Sequence, residues 1–272
     1  MTEDRRRRYL MIKNQLNKFK NNLSKYTDNQ MRRGREKLSS DKFVGNRCYY
    51  KLKQIDEKFD ICKNCNIFLD LAGGPGQFVN YMFNVNYNCR GYGVTLKQSQ
   101  AGDYKFHHTN FHQLYGANDT GDLFDSAVNF EIELFCGGKC DLVLADGAID
   151  VSGRENHQES LTLPLLTKEC EIILQCLTPG GACVLKIFDT FEETTIRLLN
   201  NFVNYFDSHY VYKPAASKAA NSEKYLICLC KLHDKRRELI TAKLDTIKFA
   251  KLQLSALRKL LKILETNYGK RH

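Results

Sequence analysis

The chain has 272 residues, of which 43% are hydrophobic, 11% aromatic and 26% charged, an ordinary globular composition with room for one large domain or two small ones. Four Pro and 17 Gly exclude a collagen-like or proline-rich chain, and no apolar stretch approaches the ~20 residues of a membrane span. The formal charge of +10 is uneven: residues 1–37 and 231–272 each carry 12 Lys/Arg against 4 Asp/Glu, and the middle carries 17 against 23, so an anionic partner is expected, nucleic acid before an acidic membrane.

Residues 4–26 place Leu10, Ile12, Leu16, Phe19, Leu23 and Tyr26 mostly at steps of three or four, which predicts a basic amphipathic helix. Residues 28–46 contain Gly and the cluster Arg32, Arg33 and Arg35, and read as a loop or short helix. Cys48–Phe59 reads as a helix with Tyr49, Leu52 and Ile55 on one face. Strands are then predicted at Ile67–Leu71, Arg90–Leu96, Cys140–Ala145, Ala182–Phe188 and Tyr225–Cys230. Helices are predicted at Gln77–Phe83, Leu161–Leu177 (stopped by Thr178-Pro179-Gly180-Gly181) and Glu193–Tyr205. Near-continuous apolar strands alternating with helices predict an α/β fold with a mainly parallel sheet flanked by helices. The tail 234–265 is predicted as one long basic helix, packed against the sheet by its leucine stripe. The basic helical extensions are bounded at 1–45 and 233–272, around a core at 46–232, in one compact domain overall.

Two features carry chemistry. After the first strand comes Ala72-Gly73-Gly74-Pro75-Gly76. A strand, a Gly-rich turn and a helix present free backbone N–H groups to a ligand, and Asp70 stands at the strand's carboxyl end, where open α/β sheets bind. The spacing is neither that of a dinucleotide turn nor that of a P-loop. A Pro in the turn and an acid before it resemble the turn that binds S-adenosylmethionine in Rossmann-like methyltransferases. Secondly, Asp146 ends one strand, Lys186 lies inside the apolar run Ala182–Phe188, and Glu223 precedes another strand. A lysine in such a strand is costly unless it is paired or has work to do.

Lys51, Asp146, Lys186 and Glu223 resemble the Lys-Asp-Lys-Glu tetrad of FtsJ-like ribose 2′-O-methyltransferases. The resemblance runs from about Arg33 to Lys231. It includes Asp70-Leu-Ala-Gly-Gly-Pro-Gly-Gln-Phe78, Gly91-Tyr-Gly-Val-Thr-Leu96, Thr120-Gly-Asp-Leu123, Asn46-Arg-Cys-Tyr-Tyr-Lys51, Ala145 through Glu159, and Lys213 through Glu223. The first of these segments is similar to the family's donor loop, the others are closer to its cap-directed branch, and the small single-domain size looks most like that branch's viral, baculovirus-type members. Two departures stand out: Gln77 replaces the last loop Gly, and no acid ends the second strand to grip a ribose.

The resemblance implies an S-adenosylmethionine-dependent enzyme that methylates the first transcribed nucleotide of capped mRNA. It implies a donor site at Asn46, Asp70, Ala72, Gly73, Gly74, Pro75, Gly76, Gln77, Phe78, Asp122, Leu123 and Asp146. RNA contacts follow at Arg33, Arg35, Asn156, His157, Gln158, Ser217, Lys218 and Glu223. Lys186 is expected to act as general base, its ammonium disfavoured by burial and by Lys51 and favoured by Asp146 and Glu223. Other capping or transcription components are conceivable partners; a membrane is not expected. With no apolar run behind the N-terminal arginines, secretion is not expected either, and a nuclear or cytoplasmic location follows.

Eleven Cys without regular spacing read as reduced, buried thiols. Cys62-x-x-Cys65 lacks a second ligand pair, and His107, His108 and His112 lack a carboxylate motif, so no metal site is expected. The alternatives are a methyltransferase of ribosomal or other RNA, and a non-catalytic RNA-binding subunit of a capping complex.

Overall fold

A computed structural model describes residues 3–38, 47–97 and 103–269. In chain order the elements are α1 (Glu3–Leu23), α2 (Asp28–Leu38), α3 (Arg47–Phe59), β1 (Ile67–Leu71), α4 (Gln77–Val85), β2 (Arg90–Val94), β3 (Phe111–Gln113) and α5 (Ser126–Cys136). They continue with β4 (Cys140–Ala145), α6 (Gln158–Cys176), β5 (Leu177–Ile187), α7 (Glu193–Val203), β6 (Phe206–Tyr212), β7 (Lys224–Lys231) and α8 (Thr246–Tyr268). One seven-stranded sheet has the order β3-β2-β1-β4-β5-β7-β6. The pairs from β3 through β5 are parallel; β7 runs antiparallel to both its neighbours.

The apolar runs of β1, β4 and β5 are buried on both faces, as helices on each side require. Phe68, Leu142, Leu144, Val184 and Ile227 pack toward α3 and α4, and Leu69, Leu71, Val143, Ala145 and Leu185 toward α5, α6 and α7. The register sets the site: Leu71 lies beside Val94 and Ala145, Ala145 beside Leu185, and Lys186 opposite Tyr225. The carboxyl ends of four parallel strands therefore meet the start of β7 along one edge of the sheet.

The residues 28–38 are helical. Thr27 and Gln30 cap α2 reciprocally (2.9 and 3.4 Å), and Gly34 inside it is a packing glycine: a Cβ there would come within 2.8 Å of Leu264 Cδ2. The tail departs from expectation twice. Residues 234–245 are not helical, because side chains of the core capture their backbone: Asn204 Oδ1 accepts from Ile240 N (2.8 Å), Asn200 Oδ1 from Ala242 N (2.8 Å) and His209 Nε2 from Lys243 N (2.9 Å). The leucine stripe of α8 packs on α1 and α2, not on the sheet. Tyr9, Ile12, Leu16, Leu23, Leu254, Leu257, Leu260 and Leu264 make a separate apolar cluster there, so the two basic ends of the chain form one helical layer.

Three elements had no clear signature. β3 has three residues; β6 is a half-exposed edge strand; α5, capped by Asp125, leaves Phe130 and Leu134 exposed and so lacks a clean amphipathic stripe. β5 begins at Leu177, with Thr178 to Gly181 inside it as an irregular opening beside a register shift in β4. Among the described residues no helix is long and apolar enough to cross a membrane, and no group of three or more His, Cys, Asp and Glu is placed to hold a metal. Cys62 and Cys65 are buried in the apolar layer beneath α3 and α4, where loss of hydration pushes both thiols up. His108 stacks on Phe83 with ring centroids 4.0 Å apart.

Candidate active site

The turn after β1 is shaped from beneath. Ala72 (φ 52°) and Gly76 (φ 97°) take left-handed backbone, and Gly73 N–H reaches Val94 O at 3.3 Å. Asp70 is wholly buried under the turn. Tyr104 OH donates to its Oδ2 (3.2 Å) and to its carbonyl (3.0 Å), while Oδ1 has no hydrogen-bond partner. Burial, then the Asp146 charge, push this carboxyl far above the usual carboxylate range, against the Tyr104 bond. A Cβ at Gly73 would lie 1.8 Å from Asp70 Oδ2, so only glycine fits between the carboxyl and the turn's surface. α4 starts on Gly76 without a side-chain cap, leaving its first N–H groups facing the turn. Asp70 thus supports the turn from beneath; Ala72, Gly73, Gly74, Pro75 and Gln77 are part-exposed, and Gly76 and Phe78 are buried.

Across the sheet edge, four ionisable side chains come together, from α3, from β5, from the residue after β4 and from the residue before β7. Lys51 Nζ on α3 is 2.9 Å from Glu223 Oε1. Lys186 Nζ on β5 is 3.2 Å from Asp146 Oδ1 and 4.0 Å from Glu223 Oε2, and donates to Asp146 O at 3.3 Å. Lys51, Lys186 and Glu223 are each below 10% exposed. Burial opposes a charge on Lys51, but Asp146 and Glu223 outweigh it and hold the ammonium well above the usual lysine range. Burial likewise pushes Glu223 up, and Lys186, Lys51 and the Ser217 hydroxyl outweigh it, holding the carboxyl at about 2. The cluster adjoins the turn: Asp146 N–H points at Leu71 O (3.4 Å), and Phe78 packs on Tyr225 with centroids 6.4 Å apart.

The sequence profile of FtsJ-like methyltransferases matches residues 44–231. The chain belongs to the FtsJ-like methyltransferase family. A cap-specific mRNA (nucleoside-2′-O-)-methyltransferase of Autographa californica nuclear polyhedrosis virus is 44% identical over 261 residues, which are 94% of this chain and 100% of the relative. A cap-specific mRNA (nucleoside-2′-O-)-methyltransferase 1 of Trypanosoma cruzi is 33% identical over 68% of this chain and 56% of its own length. Among solved structures, one described as a ribosomal RNA methyltransferase of Plasmodium falciparum superposes with a TM-score of 0.53 over 70% of this chain and 98% of that one, at 20% identity, a likeness of fold.

Around the FtsJ-like core's cluster, several side chains were not legible as site residues. Tyr225, a strand residue by pattern, donates its hydroxyl to Asp146 Oδ1 (2.8 Å) and approaches Glu223 Oε1 (3.4 Å). Lys213 Nζ closes the loop that carries Glu223 by donating to Glu223 O (2.5 Å), Asn221 O (3.0 Å) and Asn221 Oδ1 (3.1 Å); burial lowers its pKa to about 8. The polar residues two and ten positions from Glu223 were the available signal. Ser217, expected from the sequence as an RNA contact, donates its Oγ to Glu223 Oε1 at 2.6 Å.

The other expected residues are placed as follows. The loop holding Asp122 and Leu123 docks on the end of β2, so closely that a Cβ at Gly121 would lie 1.9 Å from Thr95 O. Asp122 is partly exposed and Leu123 buried. Gln158 Oε1 accepts from Ser222 Oγ (3.0 Å), next to Glu223. Asn156 instead donates to Asn21 of α1 (2.6 Å), and His157 is exposed. Lys218 is pushed down by burial and by Arg35 and Arg47, which places α2 and α3 cations beside it; Arg33 is exposed on α2. Asn46 lies outside the described residues.

Membership of this family implies S-adenosylmethionine, and the residues fit it. An uncapped helix start, a turn kept open at Gly73, and the Asp146 carboxylate at the turn's edge suit a ligand carrying a carboxylate and a cationic sulfur.

Proposed function

We propose that the chain transfers a methyl group to the ribose 2′-hydroxyl of the first transcribed nucleotide of capped mRNA. The meeting of two lysines and two carboxylates beside the turn carries the reaction; the names of the full-length viral relative and the trypanosome relative carry the substrate. When bound, S-adenosylmethionine supplies a methyl group on a sulfonium, an electrophile that needs no metal to activate it. Ala72, Gly73, Gly74, Pro75, Gly76, Gln77 and Phe78 would hold its amino-acid and ribose side, Asp122 and Leu123 its adenine side, and Asp146 would lie near the sulfonium, with Asn46 also reaching the donor.

A 2′-hydroxyl is a poor nucleophile at neutral pH and needs an acceptor for its proton at ~2.6–3.2 Å. Glu223 and Lys51 are fixed in their charged forms, so both serve to orient. Lys186 Nζ, as the neutral amine, would then take the proton as the oxygen–methyl bond forms and the donor's sulfur–methyl bond breaks, leaving a neutral thioether. Tyr225 and Ser217 keep the two carboxylates in place. Held this way, positioning alone can contribute ~7–11 kcal/mol.

The helical layer supports the RNA side of this reading. It is tied to the loops beside the cluster by Lys20 with Asp189 (3.3 Å) and Glu155 O (3.3 Å), and by Gln253 Nε2 with Ala220 O (3.3 Å). Arg33, Arg35, Lys218, Ser217, Asn156, His157 and Gln158 are proposed to face the RNA. Phosphate contacts by these cations make affinity fall steeply with salt.

The test is methyl transfer from labelled donor to capped and uncapped RNAs of one sequence, at low and high salt. Transfer to the capped RNA alone, with apparent RNA affinity falling as salt rises, is the expected result. Equal transfer to both would move the assignment to another RNA, and no transfer to either would leave an RNA-binding subunit.

A further inference from the structure

We infer that Glu169 is a positioning residue of this centre, acting in its uncharged form from the buried side of Lys186. The inference rests on the methyl-transfer reading. Glu169 lies on α6 and is 2% exposed. Gly147 N–H, on the residue after Asp146, lies on the side of its carboxyl and favours the ionised form, and a Cβ at Gly147 would lie 2.3 Å from its Oε1. Glycine at 147 is therefore what lets the acid close on the end of β4. Oε1 has no hydrogen-bond partner, and Glu169 lines a cavity of about 10 Å³ shared with Lys186, Gly147, Glu159 and Asp189, room for about one water.

The charges facing this cavity are already engaged. Lys186 is paired with Asp146 and Glu223, and Asp189 with Lys20. Glu159, also on α6, accepts from Phe191 N (3.1 Å) and Glu192 N (2.8 Å). Glu169 forms no ion pair among the described residues, so a carboxylate there would be buried with one amide donor, an expensive state. Burial raises its pKa to about 8, with Lys186 lowering it and Asp146 raising it. Uncharged, it adds nothing to the two carboxylates that already face Lys186. Ionised, it sets a third negative charge behind Lys186, which disfavours the neutral amine that receives the hydroxyl proton.

Glu169→Gln keeps the shape and removes the ionisation. Two measurements test the proposal: the pH profile of single-turnover methyl transfer for both proteins, and a carbon-13 NMR titration of the wild-type glutamate carboxyls, assigned with the variant. The ratio of variant to wild-type rate is expected to rise about tenfold between pH 7 and 9, because the uncharged fraction of a group near 8 falls by that factor while ionisations common to both proteins cancel. The Glu169 carboxyl is expected to titrate well above the ordinary glutamate range. A flat ratio, or a Glu169 resonance titrating with ordinary glutamates, overturns the inference. Absence of transfer at every pH would instead sink the methyl-transfer reading, and the NMR titration would still decide whether Glu169 is held uncharged.

Discussion

Lys186→Ala and Lys186→Arg are both expected to lower kcat by about 10²–10⁴-fold, the range for a lost proton-transfer group. The two substitutions separate charge from basicity. Arginine restores a cation for Asp146 and Glu223, now 3.2 and 4.0 Å from the lysine amine, but a guanidinium stays protonated. A role limited to ion pairing would therefore be rescued by arginine, and a role in taking a proton would not. Calorimetric titration with S-adenosylmethionine is the control: affinity within a few-fold of wild type shows that the turn survives. An arginine variant turning over at near wild-type rate would contradict the assignment of Lys186 as the base.

Gly73→Ala is expected to cost about 1–3 kcal/mol of stability, the range for overpacking, and to weaken S-adenosylmethionine binding by at least about tenfold. The new Cβ would meet Asp70 Oδ2 at 1.8 Å and Cγ at 2.3 Å. The carboxyl cannot swing away, because it is wholly buried and tied to Tyr104 OH. The turn must move instead, and with it the segment from Gly74 to Phe78. Asp70→Ala in the same chain should relieve the clash, so the double variant should be more stable than the two single costs imply, by about 0.5–3 kcal/mol of coupling. Denaturant unfolding of the four proteins checks this. A Gly73→Ala protein with wild-type stability and donor affinity would show that the carboxyl does not press on the turn.

Where the sequence was legible, burial explains why. β1, β4, β5 and β7 are apolar runs covered on both faces, and Asp146, Lys186 and Glu223 stand out because they interrupt or end such runs. Lys51 is different: it sits on a helix rich in charges, and only resemblance singled it out. Tyr225 was hidden because a tyrosine in a buried strand looks like packing, and only the register opposite Lys186 brings its hydroxyl to Asp146. Gly34 left its segment open between a loop and a short helix, since a sequence cannot say that a helix 226 positions later will press against it; its would-be Cβ meets Leu260 as well as Leu264. The same limit applies to α8, whose stripe fitted a sheet equally well until α1 and α2 took it. Nothing in the sequence singles out Glu169 within its helix, and the room for its carboxyl comes from Gly147 in the loop after β4.

The central claim is that the lysines and carboxylates at the sheet edge act on one ribose hydroxyl. The direct measurement is transfer of labelled methyl to two capped RNAs identical except at the first transcribed nucleotide, which is ribose in one and 2′-deoxyribose in the other. The account predicts one methyl per ribose RNA and none above background on the deoxy RNA. Equal labelling of both would place the methyl on another atom and contradict it.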